Sequence, residues 1–293
     1  MMKNNILVTG AAGDTGTHVV SQLLKAGANV RAMVRQEDQR SDALKNSGAE
    51  IVVGDLNDFN SVSAALKGMN TAYFVYPLAP GLLEATAYFA QAAREEQLKL
   101  VVNVSQRTSL RDAPSHSAQN HWVAERMLDR SGVPVTHLQP TLFMEWLVYF
   151  AEDIRDNSRI VTPFGKAKYA SISSEDIARV AAAILLDPAS HAGKIYPLFG
   201  PQELTQYEVA KILSDQVGRT ISYIEVEPEA FGQIVSESDS PFNRPFNIQH
   251  FIGIAYMFRS GRLEGMNNNV EEITGTKPRS FAEFISERPG LFG

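Results

Sequence analysis

A glycine-rich loop near the start of the chain constrains its fold more than any other feature. Gly10, Gly13 and Gly16 are spaced three residues apart, between an apolar run at 6–8 and an amphipathic segment that ends at Gly27. Between a strand and a helix, such glycines allow a tight turn, the approach of a phosphate and close helix–strand packing. The loop therefore predicts a site for the pyrophosphate of a nicotinamide dinucleotide at the start of the helix. The residues expected to hold it are Gly10, Ala12, Gly13, Asp14, Thr15 and Gly16.

Strand and helix patterns alternate through the first half of the chain. The runs expected as strands are 6–8, 30–34, 51–53, 71–76, 100–104 and 135–138, and a helix is expected around 121–130. Strands that alternate with helices in this way predict an α/β fold with a doubly wound parallel sheet.

The regular alternation weakens after Pro140. A helix is expected from Ser173 to Leu186, a strand at 195–199 and, from the capping box Thr205 to Glu208, a helix to about Val217. Beyond residue 200 the composition shifts toward loops and aromatic residues. We expect residues 1–144, with 173–199 returning to them, to form a Rossmann domain. Residues 145–172 and 200–293 are expected to form a smaller α+β lobe that binds substrate.

The net charge argues against two classes of partner, and the cysteine content excludes disulfide bonds. The formal net charge is −6, whereas nucleic-acid binders and anionic-membrane binders need a basic face. The chain has no cysteine, which excludes disulfides and fits a reducing cytoplasm. No signal-peptide pattern and no apolar run of membrane-spanning length are visible. The expected partner is a small molecule; a homo-oligomer remains open.

The end of the second predicted strand indicates the cofactor. NAD-binding proteins usually have an acidic residue there, which holds the ribose hydroxyls. This chain has Arg35, and a guanidinium pairs with a 2′-phosphate in a fork geometry. NADPH is therefore the expected cofactor. Arg40 is a second candidate if Arg35 is only a solvated strand end, and Asp55 is open between a contact to adenine and a simple turn.

With these residues in place, the chain resembles the NmrA-like branch of the atypical short-chain dehydrogenases. The resemblance runs from Ile6 to about Phe284. The segments that carry it are Val8–Gly13, Val34-Arg35, Gly54-Asp55-Leu56, Ser131–Pro134, Leu138-Gln139-Pro140, Asp176-Ile177-Ala178, Gly200-Pro201, Leu204-Thr205, Thr274-Gly275 and Pro278-Arg279.

The resemblance implies a Rossmann domain that binds NADP and a smaller lobe that builds the substrate cleft. It also implies that Leu56, Phe74, Val75 and Pro77 flank the cofactor and that Pro140 to Phe143 approach the nicotinamide. The family contains reductases of quinones, dyes or imines, and also regulators that sense dinucleotide with little turnover.

The catalytic pattern departs from that of standard short-chain dehydrogenases, which place Tyr and Lys four residues apart on a helix. In this chain those positions fall on Ser117 and His121. Two interpretations of His121 stand: a role at the ribose or substrate, with binding favoured over proton donation, or a polar helix-start residue without a chemical role. Without the Tyr, acceptors whose reduced form is stabilised are favoured over simple ketones.

The remaining candidates concern substrate and metal. A set of aromatic residues either walls a substrate pocket or forms the core of the smaller lobe: Trp146, Tyr149 and Phe150, with Phe242, Phe246, Phe251, Tyr256 and Phe258. His116 and His121 lack the spacing of paired metal ligands, so no metal is expected. The first hypothesis is an NADPH-dependent oxidoreductase of quinone-like or other electron-poor acceptors. The second is an NADP(H)-sensing regulator.

Overall fold

The computed structural model describes residues 4–288 and 290–293. Its strands are β1 Asn5–Val8, β2 Asn29–Val34, β3 Glu50–Val53, β4 Thr71–Phe74, β5 Leu100–Val104, β6 Val135–Pro140, β7 Arg159–Thr162, β8 Ile195–Leu198 and β9 Ser222–Glu225. Seven of these form one parallel sheet in the order β3-β2-β1-β4-β5-β6-β8. The strands are short and apolar because both faces of a parallel sheet are covered. The predicted α/β fold with a doubly wound parallel sheet is confirmed.

Helices cover both faces of this sheet and also build the smaller part of the molecule. They are α1 Asp14–Lys25, α2 Gln39–Asn46, α3 Phe59–Leu66, α4 Leu82–Glu95, α5 His116–Asp129, α6 Ala151–Asn157, α7 Ser174–Leu186, α8 Pro188–His191, α9 Gln206–Val217, α10 Pro228–Ser236, α11 Pro245–Arg259, α12 Asn269–Thr274 and α13 Phe281–Ser286, with a 3-10 helix at Met144–Phe150. One face buries α1 and α7, and the other buries α3, α4 and α5. The strand order reverses between β1 and β4, and ligands of such sheets bind at the carboxyl ends of the strands at this point.

The smaller part of the molecule is mostly helical, although the composition beyond residue 200 suggested a less regular lobe. Strands β7 and β9 pair in parallel, and α9 and α13 pack beside them in one apolar cluster. A second cluster holds α10 and α11, where Phe251 and Phe258 are buried. Buried aromatic residues of this lobe, such as Phe251 and Phe258, therefore form a core that stabilises its helices.

Two element ends and the packing of one helix differ from the sequence-based expectations in ways that bear on the site or the core. Helix α5 begins at His116, because the Ser115 side chain caps it by accepting a hydrogen bond from the amide of Ala118. Strand β4 ends at Phe74 and not at residue 76. Helix α12, expected in the smaller lobe, packs against α7 and β8 and buries Val270 in the core of the main sheet.

Within the described residues, no helix combines the length and the apolar character needed to cross a bilayer.

Candidate functional site

The glycine loop forms the turn between β1 and α1. Gly10 has φ +57°, and a Cβ there would lie 2.7 Å from Cγ1 of Val75. The amide of Gly13 donates to the carbonyl of Gly10 at 2.9 Å, and Gly16 packs directly on that carbonyl. Side chains at Gly10 and Gly16 would therefore push the loop out of this shape.

The N-terminus of α1 is open in a way that suits a phosphate. Its N-cap residue is Gly13, which makes no side-chain capping hydrogen bond. Helices α2 and α9, by contrast, begin with complete capping boxes. The first amides of α1 have no partner within the helix, so they and the helix dipole favour an anion at the loop. The loop and the helix end together fit the pyrophosphate of a dinucleotide.

Buried polar contacts beneath the loop hold it against β4, and sequence reasoning missed them. The hydroxyl of Tyr73 donates to Oγ1 of Thr15 at 2.7 Å, and burial raises the pKa of Tyr73. Thr9 Oγ1 accepts from the amide of Val75 at 3.0 Å and donates to its carbonyl at 3.2 Å. These partners are more than fifty residues apart, so no local pattern signals them. Only the adjacency of β1 and β4 brings them together.

A cleft of about 920 Å³ runs along the carboxyl edge of the sheet, from the end of β2 past the glycine loop to the 3-10 helix. This volume lies within the range of ligand sites, about 300 to 1,000 Å³. The predicted site residues that line it are Gly10, Ala12, Gly13, Asp14, Thr15, Arg35, Asp55, Leu56, Val75, Pro77, Phe143, Trp146 and Tyr149.

The other predicted residues do not line this cleft. Gly16 lies behind the loop, and Phe74 is fully buried, with its ring 4.5 Å from that of Phe89. Pro140 is buried at the end of β6. His121 also lies outside the lining. Phe74 and Pro140 therefore hold the strand ends, and Val75, one residue after Phe74, and Phe143, three residues after Pro140, line the cleft.

One end of the cleft, called the cationic end for its two guanidiniums, holds Arg35 and Arg40, each beside an aspartate. The Arg35 side chain is 84% exposed, and its Nη2 lies 3.7 Å from Oδ2 of Asp55. Arg40 is engaged more tightly, because its Nε and Nη2 donate to Asp38 Oδ2 at 3.1 and 2.6 Å. Hydrogen bonding between these two lowers the pKa of Asp38 and raises that of Arg40. Arg35 is therefore the more available guanidinium at this end.

Asp55 both shapes a turn and faces the cleft. Its Oδ1 accepts from the amide of Asn57 at 2.9 Å, and Asn57 Nδ2 donates to the hydroxyl of Tyr76 at 2.8 Å. These bonds join the loop after β3 to the loop after β4 across the cleft wall. Asn57 and Tyr76 were not predicted, although each lies within two residues of a predicted one.

The other end of the cleft is aromatic. The rings of Trp146 and Phe242 are stacked, with centroids 5.9 Å apart and planes 6° apart. Tyr149 meets Phe242 edge-on at 4.7 Å. Phe242 comes from the loop between α10 and α11, so this wall joins two segments of the smaller lobe that are far apart in the sequence. A pocket wall therefore describes Trp146, Tyr149 and Phe242, whereas Phe251 and Phe258 lie in the core of the smaller lobe.

Glu145 lines the cleft beside these rings and was not predicted. Its carboxylate accepts from the amide of Ser174 at 3.0 Å and from the hydroxyl of Ser174 at 2.7 Å, at the start of α7. The sequence feature that could have indicated Glu145 is its position as a single charged residue inside the apolar run 142–150.

His121 is half-buried in the second turn of α5, and desolvation lowers its pKa to about 4. His250 on α11 is buried, and its Nδ1 lies 2.7 Å from Oγ of Ser115, the cap of α5. Desolvation, followed by the proximity of His121, lowers the pKa of His250 to about 3. Both rings are therefore neutral at pH 7. Ser117, one turn before His121, is buried.

The chain matches known proteins along almost its whole length. A sequence profile of the NmrA-like family matches residues 2–285. An NAD(P)H azoreductase from Xenophilus azovorans is 31% identical over 291 residues, which cover 98% of this chain and 99% of that protein.

Two solved structures show the same fold at 23% sequence identity. One is an NADPH-dependent quinone oxidoreductase from Escherichia coli complexed with NADPH, with a TM-score of 0.85 over 96% of this chain and 99% of that chain. The other is a triphenylmethane reductase from Citrobacter sp. complexed with NADP(H), with a TM-score of 0.84 and the same coverage. From its sequence profile and its fold, this chain belongs to the NmrA-like family.

Proposed function

We propose that this chain is an NADPH-dependent reductase that transfers hydride to a quinone-like or other electron-poor aromatic acceptor. The observation that carries the proposal is the division of one cleft into a cationic end, an open helix N-terminus and an aromatic end. The likeness to the azoreductase of Xenophilus azovorans supports the same class of reaction.

The residues at the cationic end and at the loop fit NADPH. In this proposal Arg35 pairs with the 2′-phosphate and the loop from Gly10 to Thr15 receives the pyrophosphate; both line the cleft, and the Arg35 side chain is exposed, which supports these roles. Val75, Pro77 and Phe143 follow strands further along the edge, where they would flank the nicotinamide half. When bound, NADPH supplies the hydride.

The aromatic end suits a flat acceptor. Trp146, Tyr149 and Phe242 offer ring faces and edges against which an aromatic ring can pack. His121 is neutral at pH 7, so it is suited to hydrogen bonding and not to donating a proton as imidazolium. Acceptors with a stabilised reduced form, which take their proton from water, therefore fit this site better than simple ketones.

The test is NADPH oxidation, followed at 340 nm, with a panel of quinones, azo dyes and unactivated ketones. We expect turnover of quinones or azo dyes and little turnover of ketones. Efficient reduction of simple ketones would contradict the proposed acceptor class. Tight NADPH binding without turnover of any acceptor would replace the reductase with the regulator that senses dinucleotide.

A further inference from the structure

The segment directly after β5 contains an unusual run of buried polar atoms without partners. Each of five consecutive residues, Ser105 to Ser109, has a buried side-chain nitrogen or oxygen that makes no hydrogen bond to the described residues. Ser105, Thr108 and Ser109 are more than nine-tenths buried. Buried polar groups are normally paired, so consecutive exceptions point to a ligand that supplies the missing partners.

Arg107 is the centre of this run because it is charged. The residue is half-buried and its Nε is buried, and within residues 4–288 and 290–293 its side chain has neither a carboxylate within 4 Å nor a hydrogen-bond acceptor. Other half-buried arginines are partnered: Arg179 pairs with Asp176, and Arg259 with Glu225. Asp112, the acid nearest to Arg107 in the sequence, is held by Arg262 at 2.8 Å. A partly desolvated cation without a counter-charge is costly, and an anionic ligand would offset that cost.

The topology places this segment between two strand ends that lead into the cleft, although residues 105–109 are not themselves among its lining residues. Strand β5 lies between β4 and β6, and the residues after both of those strands, Val75 and Phe143, line the cleft. The amide of Arg107 donates to the carbonyl of Pro140 at 2.8 Å, which fixes the segment against the end of β6.

The anion is not one of the phosphates of the dinucleotide. The pyrophosphate loop follows β1 and Arg35 follows β2, whereas β5 lies two strands from β1 on the opposite side. With neighbouring strands about 4.8 Å apart, this separation is about 10 Å. An acceptor that meets the nicotinamide at this edge can bring such a charge, whereas the carboxylate of Glu145, which also lines the cleft, is already bonded to Ser174.

We propose that Arg107, with the hydroxyls of Ser105 and Thr108, forms a subsite for a negatively charged substituent of the acceptor, such as a sulfonate or carboxylate. The inference rests on the proposed reductase function and narrows its substrates to anionic aromatic acceptors.

The turnover test compares 1,4-naphthoquinone with 1,4-naphthoquinone-2-sulfonate. We expect Arg107→Gln to raise KM for the sulfonate about tenfold, because one charge-assisted interaction is lost. The kcat for the sulfonate and the KM for the neutral quinone should stay nearly unchanged. Arg107→Lys should restore part of the preference. The matched control is Arg111→Gln, which removes the same charge from an exposed side chain four residues away and should change neither KM. Equal losses for both quinones, or no loss for either, would overturn the subsite.

A second measurement does not depend on turnover. Calorimetry with the NADP⁺-loaded protein compares naphthalene-2-sulfonate with its neutral sulfonamide. The wild type and Arg111→Gln should prefer the sulfonate, and Arg107→Gln should show no preference. This result would support the subsite even if no acceptor is reduced, and an equal affinity of the wild type for both compounds would overturn it. The melting temperature of Arg107→Gln should be no lower than that of the wild type, because the Arg107 side chain has no partner among the described residues; a marked drop would assign it a structural role instead.

Discussion

The two ends of the cleft are built in different ways. The cofactor end consists of one continuous loop, Gly10 to Thr15, and of Arg35, which follows the next strand. The aromatic end draws Trp146 and Tyr149 from the 3-10 helix and Phe242 from a loop almost one hundred residues later. The first end depends on backbone shape, and the second depends on the packing of side chains from distant segments.

This difference teaches which changes each end tolerates. A backbone site fails when a side chain fills the space that the phosphate or the turn needs. A side-chain site changes its preference when a ring or charge is replaced, while the fold persists. The two ends should therefore separate in mutation experiments, with cofactor affinity lost at one end and acceptor preference lost at the other.

The largest effect is expected for Gly10→Ala. The added Cβ would meet Val75 at 2.7 Å in a residue with φ +57°, so the loop must move. We expect the Kd for NADPH to rise on the order of 100-fold. Each factor of ten in Kd corresponds to about 1.4 kcal/mol of binding free energy. Gly27→Ala is the control, because Gly27 also has positive φ (+79°) but has no neighbour within 4 Å of the added Cβ. If both variants lose the same amount of NADPH affinity, the cause is the backbone strain of an alanine at positive φ and not the contact with Val75. Fluorescence titration measures both affinities.

The next effect is expected for Arg35→Ala. Loss of a charge-assisted contact to the 2′-phosphate should weaken NADPH about 30-fold, or roughly 2 kcal/mol, and leave NADH nearly unchanged. Arg40→Ala is the matched control and should weaken NADPH less than about threefold, because Arg40 is already bonded to Asp38. If Arg40→Ala has the larger effect, the assignment of the 2′-phosphate to Arg35 is wrong.

A smaller effect is expected at the aromatic end. Trp146→Ala removes a ring stacked on Phe242 and should raise KM for a neutral quinone about tenfold, while NADPH affinity stays within about twofold. Trp122→Ala is the control, since Trp122 packs near Arg126 and lies outside the cleft lining. Steady-state kinetics and NADPH titration of both variants check the result. A loss of NADPH affinity in Trp146→Ala would remove the distinction between the ends.

The smallest effect concerns the buried histidines and pH. The pKa values of His121 and His250, about 4 and about 3 in the folded protein, lie below the ordinary value of 6.5. The unfolded chain therefore takes up protons first as pH falls, so this part of the stability is complete above pH 6.5 and lost progressively below it. We expect the melting temperature to fall between pH 7 and pH 5, and His250→Asn to fall less steeply.

The same shift predicts the catalytic behaviour of His121. The variant His121→Gln keeps hydrogen-bonding capacity without the titration, so the pH profile of kcat between 6 and 8 should not change. Loss of an ionisation near pH 6.5 in this variant would show that His121 is charged during turnover.

The cofactor end was largely predictable from the sequence, and the acceptor end was not. Glycine spacing and a strand-end arginine are local patterns with one geometric purpose, and both lie in the cleft. Phe74 and Pro140 were predicted to lie at the cofactor, but both are buried, and Val75 and Phe143 line the cleft instead. The point where a strand ends depends on its neighbours in the sheet, which a local pattern does not show.

Other features required the three-dimensional packing. Phe242 faces the cleft whereas Phe251, nine residues later, lies in the core, and composition does not distinguish them. The bond between His250 and Ser115 joins residues 135 positions apart. Arg107 stood out only when the structure showed that it lacks a counter-charge.

The measurement that tests the central claim most directly is a single turnover of protein-bound NADPH, mixed rapidly with an electron-poor quinone. The account predicts that bound NADPH is consumed faster than free NADPH under the same conditions. It also predicts that deuterium at the transferred position of nicotinamide C4 slows the step. Consumption no faster than that of free NADPH would contradict the account.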